Sequence, residues 1–236
     1  MVISAEQTDG NVPVLTPEQI MAEVDEIGFC LSEFSDDTKA ILENSLLKNL
    51  GDGFHVNNPE HRSVFERTTE IQSIIGYFKQ RASAQGIAWN QILVCRVVNG
   101  GSKEKYRTHL DSHIYTIVVP LLMPQESGVK RGQLYIVPNY RRQPTSEISN
   151  FFSKMKAGKY RGEKNYQKVA AMPDYQEVEM KFGQFLIFNG MRALHGNIAN
   201  ETQEKRVTLI SHFADPFPFG VGAFLRFLRK VAGTRK

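Results

Sequence analysis

The spacing of apolar residues changes period about a third of the way along the chain. Up to residue 84 they recur every three or four positions, as on a helix with one buried face. Thr16-Pro17-Glu18-Gln19 opens the first such stretch, with Thr16 as N-cap and Pro17 at the first helical position, and Ile20, Val24 and Ile27 follow. Residues 35–50 predict a second helix, with Ile41, Leu42, Leu46 and Leu47 on one face and Gly51 near its end. Residues 51–62 read as loop. Val64 to Ala84 predicts a third helix, carrying Ile71, Ile74, Ile75 and Phe78 and closed by Gly86. Residues 1–15 are polar and are expected to fray.

Beyond residue 90 short apolar and β-branched runs replace the helical stripe. Ile92–Val98 reads as a strand followed by a turn at Gly100-Gly101, and Tyr115–Leu122 as a buried strand. Pro124–Gly132 is turn-like, Gln133–Pro138 is another strand, and Phe185–Phe188 is short and wholly apolar before a turn at Gly190. Arg206–Phe213 is the last strand-like run. This divides the chain into a helical segment (1–90), a β core (91–215) and a tail (216–236), with no internal repeat.

Two stretches break the pattern. Residues 139–172 interrupt the strands and carry Arg141, Arg142, Lys154, Lys156, Lys159, Arg161, Lys164 and Lys168 against Glu147 and Glu163, with Phe151, Phe152, Tyr160 and Tyr166 interleaved. Such an insert reads as a lid or rim over a site, the alternative being a solvated, disordered loop. In the tail, Phe224, Phe227, Leu228 and Val231 form one helical stripe flanked by Arg226, Arg229 and Lys230. That helix suits an anionic membrane interface, or docks on the protein's own core; both readings stay open.

Composition is that of an ordinary globular protein, 41% hydrophobic and 23% charged over 236 residues. The net charge of +4 conceals a division. Residues 1–70 carry 14 acidic and 4 basic side chains, a balance of −10; the rest carries 25 basic and 11 acidic, a balance of +14. The basic part suggests an anionic partner, or else a solvated face packed partly against the acidic segment. The opening residues show no secretory signal, and no run reaches the roughly eighteen apolar residues of a membrane span. Cys30 and Cys95 form no metal or disulfide pattern and suit a reducing compartment. The expectation is a cytoplasmic protein, peripheral on the membrane if the tail binds lipid.

The candidate chemistry lies in the basic part. His109 and Asp111 are two residues apart, so on a strand both point to one face and reach one metal ion. His195 follows the Gly190 turn, and Arg206 and Thr208 come eleven and thirteen residues later. Two histidines and a carboxylate compose the facial triad of non-haem Fe(II) oxygenases, which leaves coordination positions open. Arg206, with Thr208 on its own face, suits bidentate capture of a carboxylate.

At these residues the chain resembles the Fe(II)/2-oxoglutarate-dependent dioxygenase superfamily. His109, Asp111 and His195 match its metal triad, and Arg206 and Thr208 its arginine-x-serine/threonine clamp for 2-oxoglutarate. Gly132–Pro138 and Gly183–Phe188 resemble the strands between the motifs, so the likeness covers about half the chain, from Ile92 to Phe213. The resemblance implies a mainly β fold with flanking helices and a double-stranded β-helix, or jelly-roll, core. It implies Fe(II) as cofactor, 2-oxoglutarate and O2 as co-substrates, and hydroxylation of an unactivated C–H bond. Tyr106 and Gln133 are further candidates for co-substrate contacts, and Arg107, Tyr135, Arg141 and Arg142 for substrate; His113 and His212 suit supporting positions.

The alkylation-repair branch carries Arg-x-Asn-x-Thr-x-Arg in the last strand, and here Arg206, Thr208, Ile210 and His212 occupy that register. Nucleic acid is therefore not the expected substrate. Charge and tail together suit the branch that hydroxylates the acidic octulosonate sugar (Kdo) of lipopolysaccharide precursors. A hydroxylase of a soluble amino acid and a non-catalytic jelly-roll binding an anionic polymer or membrane remain as alternatives.

Overall fold

The computed structural model describes residues 12–46, 54–56, 58–99, 106–126 and 128–217. The Gly100-Gly101 turn and the amphipathic stripe from Phe224 to Val231 lie outside the described residues. Two antiparallel sheets face each other. The larger has six strands: β1 (Phe29–Glu33), β2 (Phe54–Val56), β3 (Ala88–Val98), β4 (Tyr115–Leu122), β7 (Gln184–Asn189) and β9 (Arg206–Asp215), in the order β1-β7-β4-β9-β3-β2. The smaller joins β5 (Leu134–Val137), β6 (Gln176–Val178) and β8 (Leu194–Asn197) in the order β6-β5-β8. This is the double-stranded β-helix core, and its sheets do not close into a barrel.

Alternation along the strands divides the apolar residues among three layers. Leu134 and Ile136 of the small sheet meet Phe29, Val118, Leu186 and Phe188 of the large one. On the outer face of the large sheet, Leu93, Cys95, Tyr115, Ile117, Phe185, Leu209 and Phe213 lie beneath helices. Those helices include α1 (Pro17–Glu26), α2 (Asp36–Leu46), α3 (Pro59–Arg67) and α4 (Thr69–Ala84). Phe78 of α4 sets its ring edge against Tyr115 at 4.6 Å and Phe213 at 5.8 Å, fastening the helix to the sheet. On the outer face of the small sheet, Tyr135 and Val137 pack with Tyr166, Val169 and Tyr175.

The Thr16 capping box is present: Gln19 donates its backbone N–H to Thr16 Oγ1, and Thr16 donates to Gln19 Oε1. Three departures from the sequence reading have local causes. The helix expected over 64–84 is two helices. Thr68 adopts φ −79° and ψ 105° and gives its hydroxyl to the Val64 carbonyl, ending α3 and starting α4. The loop expected over 51–62 holds β2 and the start of α3, because Asn58 accepts from the N–H groups of Glu60 and His61 and Pro59 takes the first helical position. β1, which helical spacing did not reveal, is an edge strand covered on both faces, so its apolar residues run together instead of alternating.

The insert is ordered. It forms α5 (Glu147–Ala157), a 3-10 turn (Gly158–Tyr160) and α6 (Glu163–Ala170) against the small sheet. Replacing the fully buried Phe78 with Ala should remove about 3–5 kcal/mol of stability, measured by urea unfolding.

Candidate metal centre

The loop bearing His109 and Asp111 is pinned to β8 by backbone. His109 N–H donates to the His195 carbonyl at 2.9 Å, and His195 N–H to the His109 carbonyl at 3.1 Å. This bridge brings together two imidazoles 86 residues apart in sequence, with ring centroids 4.3 Å apart. Asp111 Oδ1 lies 3.5 Å from His109 Nε2, and Asp111 Oδ2 lies 3.5 Å from His195 Nε2. One ligand atom from each residue falls within 4.8 Å of the others. Mutually perpendicular ligands about 2.1 Å from an ion stand about 3 Å apart, so a small inward movement completes the set.

Both imidazoles are held by a backbone carbonyl at Nδ1. His109 Nδ1 lies 2.8 Å from the Arg107 carbonyl, and His195 Nδ1 lies 3.0 Å from the Ala193 carbonyl. A carbonyl only accepts, so each Nδ1 carries the proton and each Nε2 presents its lone pair to the carboxylate side. Burial lowers the His195 pKa to about 4, against the upward pull of Asp111, which keeps the ring unprotonated near neutrality. Burial alone would raise the Asp111 carboxyl. The surrounding histidines, His195 first and His212 next, outweigh it and hold the group well below the usual carboxylate range. Asp111 and His195 are buried, while the His109 side chain is 40% exposed, so the site opens on that side.

Supporting contacts orient the carboxylate. Thr116 donates its hydroxyl to Asp111 Oδ2 at 2.6 Å, and His212 Nδ1 lies 2.9 Å from the same hydroxyl and 3.4 Å from Oδ2. His212 thus sits in the supporting position the sequence suggested, and the His113 ring stacks on it at 5.8 Å. Gly190 donates to the Ile114 carbonyl and accepts from the Asp111 N–H. A Cβ there would fall 2.6 Å from Asp111 Oδ2 and 2.7 Å from Thr116 Oγ1, so no side chain fits.

Arg206, Thr208, Ile210 and His212 share the inner face of β9, opposite the side on which Leu209 and Phe213 pack under the helices. Arg206 is buried and donates from Nη1 to the Gly132 carbonyl at 2.6 Å. Gly132 has φ +74°, and a Cβ there would stand 3.2 Å from that same nitrogen. Thr208 Oγ1 is buried with no hydrogen-bond partner among the described residues. A buried hydroxyl without a partner costs free energy, and an incoming carboxylate beside Arg206 relieves that cost. The donor set therefore fits both Fe(II) and the distal carboxylate of 2-oxoglutarate. Arg96, which no sequence motif marks, is the cross-strand partner of Thr208 and so faces the same interior.

The other candidates divide. Tyr135 lies on the outer face of β5, since its neighbour Ile136 is the register partner of His195. Its hydroxyl meets Thr108 Oγ1 at 2.6 Å, and Thr108 donates onward to the Tyr160 carbonyl, so Tyr135 steadies the residue before His109 from behind. Tyr106 packs on Tyr166 in the same outer cluster, and Lys130 donates to its hydroxyl. Gln133 turns its side-chain oxygen to the Arg131 N–H. Arg107 supplies the carbonyl that holds His109, and Arg142 is exposed. Arg141 donates from Nε to the Met191 carbonyl and from Nη2 to Asn150 Oδ1, beside the Gly190 turn. Lys154 of α5 reaches Ser112 Oγ, next to Asp111.

No protein-family model and no curated protein matches the sequence. Solved structures do. A prolyl-4-hydroxylase from Pseudomonas putida is 12% identical over 88% of this chain and 98% of its own, with a TM-score of 0.55. The fold is that of the 2-oxoglutarate-dependent oxygenases. SnoK, a non-heme alpha-ketoglutarate-dependent carbocyclase from nogalamycin biosynthesis, is 17% identical over 87% of this chain and 88% of its own, with a TM-score of 0.55. HygX from Streptomyces hygroscopicus, with nickel and 2-oxoglutarate bound, is 13% identical over 87% of this chain and 89% of its own, with a TM-score of 0.57. The oxygenase fold here carries the histidine-aspartate-histidine triad in a geometry that fits Fe(II).

Two outcomes follow. Gly190→Ala should weaken Fe(II) binding about 10–100-fold in an anaerobic titration while the fold persists. Because the His195 pKa falls from 6.5 to about 4 on folding, the unfolded chain binds the extra proton between those values. Stability of the metal-free protein should therefore fall on acidification from about 6.5 to about 4, by up to about 1.4 kcal/mol per pH unit from this group. His195→Gln should flatten that slope in chelator-treated thermal melts.

Proposed function

We propose that this chain is an Fe(II)- and 2-oxoglutarate-dependent dioxygenase that hydroxylates an unactivated C–H bond of an anionic substrate. The observation that carries the reading is the convergence of His109, Asp111 and His195, with Arg206 and the unpartnered Thr208 hydroxyl on the inner face of β9 in the large sheet. Iron held by the triad would supply O2 activation coupled to decarboxylation of 2-oxoglutarate to succinate and CO2. The protein's own share is aim and exclusion of water. Arg206 would grip the distal carboxylate, Thr208 would donate to it, and the Thr116 and His212 contacts would keep Asp111 from rotating off the metal. The Lys154–Ser112 bond holds α5 against the residue that follows Asp111.

The case for an anionic substrate rests on two arginines at the Gly190 turn. Arg141 Nη1 and Arg192 Nε are buried without hydrogen-bond partners among the described residues. Arg192 lies between Gly190, which touches Asp111, and Ala193, which holds His195. A carboxylate or phosphate reaching either atom would give it the partner it lacks. An acidic sugar such as the octulosonate of a lipopolysaccharide precursor meets that requirement, as does a smaller acid such as an amino acid.

Succinate release with a panel of acidic sugars, glycolipid precursors and amino acids tests the reading. Asp111→Ala should abolish substrate-stimulated turnover. Arg206→Ala should raise the apparent KM for 2-oxoglutarate about 10–100-fold, the loss of one charge-assisted carboxylate pair. A chain that takes up no Fe(II) would overturn the proposal in favour of a non-catalytic jelly-roll.

A further inference from the structure

Helix α5 is turned the wrong way round for a helix packed on a protein. Ile148, Phe151, Phe152 and Met155 fall at i, i+3, i+4 and i+7, one apolar stripe. They are 66%, 50%, 56% and 60% exposed. The residues α5 buries are Asn150 and Ala157, on the opposite side. Its attachment to the body is largely polar: Arg141 Nη2 donates to Asn150 Oδ1, and Lys154 Nζ to Ser112 Oγ. Four large apolar side chains therefore face outward together, and Phe151 and Phe152 stack edge to face at 5.9 Å. Scattered exposed hydrophobic residues need no explanation, but a contiguous patch on one helix marks a contact surface.

The charge of the insert that carries the stripe selects the occupant. Arg142, Lys156, Lys159, Arg161, Lys164 and Lys168 are all exposed, against the exposed Glu163 and the half-buried Glu147. Protein interfaces are depleted of lysine, whereas exposed aromatic and aliphatic residues ringed by lysine and arginine compose a helix lying in an anionic lipid interface. We propose that α5 is such a docking helix, setting Ile148, Phe151, Phe152 and Met155 among acyl chains while the exposed cations of the same insert meet lipid phosphates. Each cation near the surface adds attraction that salt screens. Because Lys154 of α5 is tied to Ser112, the residue after Asp111, docking would hold the loop that carries the first metal motif near the lipid surface. The docking itself needs neither metal nor turnover, so it stands or falls apart from the oxygenase reading.

The test is co-sedimentation of the full chain with vesicles of phosphatidylcholine alone, or of equimolar phosphatidylcholine and phosphatidylglycerol. The wild type should bind the anionic vesicles, less so as salt rises, and bind neutral vesicles weakly. The exposed double variant Phe151→Ser/Phe152→Ser should lose about tenfold or more in affinity with an unchanged melting temperature. Lys156→Glu/Lys159→Glu, which leaves the stripe intact, should lose the salt-dependent part. Equal binding by the Phe151→Ser/Phe152→Ser variant would place any lipid affinity outside the stripe and overturn the proposal. So would absence of vesicle binding, or a wild-type dimer that this variant converts to monomer.

Discussion

The whole site hangs on two backbone hydrogen bonds, those exchanged between His109 and His195. Neither histidine sits in a long ladder at that point; the pairing is an isolated bridge between a loop and the edge of the small sheet. It fixes the separation of the imidazoles before any metal arrives. The carbonyls two residues upstream of each histidine then set the tautomers, so the same stretch of backbone decides both where the nitrogens stand and which of them carries a lone pair. Asp111 has no such freedom either. Gly190 leaves just enough room for its carboxylate, and Thr116 and His212 hold one oxygen in place.

The insert acts on this arrangement from behind as well as through the Lys154–Ser112 bond. Tyr160 and Tyr135 engage Thr108, and Gly162 donates to the Tyr106 carbonyl, so the chain leading into His109 is clasped by the inserted helices and the small sheet together. Buried tyrosines fill the space behind the small sheet, and their hydroxyls are satisfied in a connected group in which Tyr166 and Tyr175 both donate toward Glu177. A polar group of this kind is costly when half-satisfied, which favours one fixed position for the insert. The same segment presents its apolar stripe outward, so it joins a rigid inner attachment to a surface prepared for contact.

Much of the site was legible because its chemistry is local. His109 and Asp111 announce themselves by a two-residue spacing, Arg206 and Thr208 by another, and the Thr16 cap and the apolar run of β7 by short-range rules. The residues that support them were not legible. Gly190 matters because of a distance to a side chain 79 positions away, and Arg96 faces the interior because of a cross-strand register. Tyr135 looked like a site residue from its place beside the motif, yet strand alternation sends it to the outer layer. Thr68 interrupts a long helical pattern through a single hydroxyl bond, a choice that propensity does not resolve.

Sequence by itself marked His109 with Asp111 and Arg206 with Thr208 as same-face pairs, and it carried the helical first third and the unbalanced charge, since each depends on residue type and on short spacings. Tertiary structure alone decided which face of each strand looks inward, that Gly190 must lack a side chain, and that α5 shows its apolar side to solvent. Those outcomes depend on pairing between segments tens of residues apart, and hydrophobic spacing along one segment states only that a face exists, not what lies opposite it.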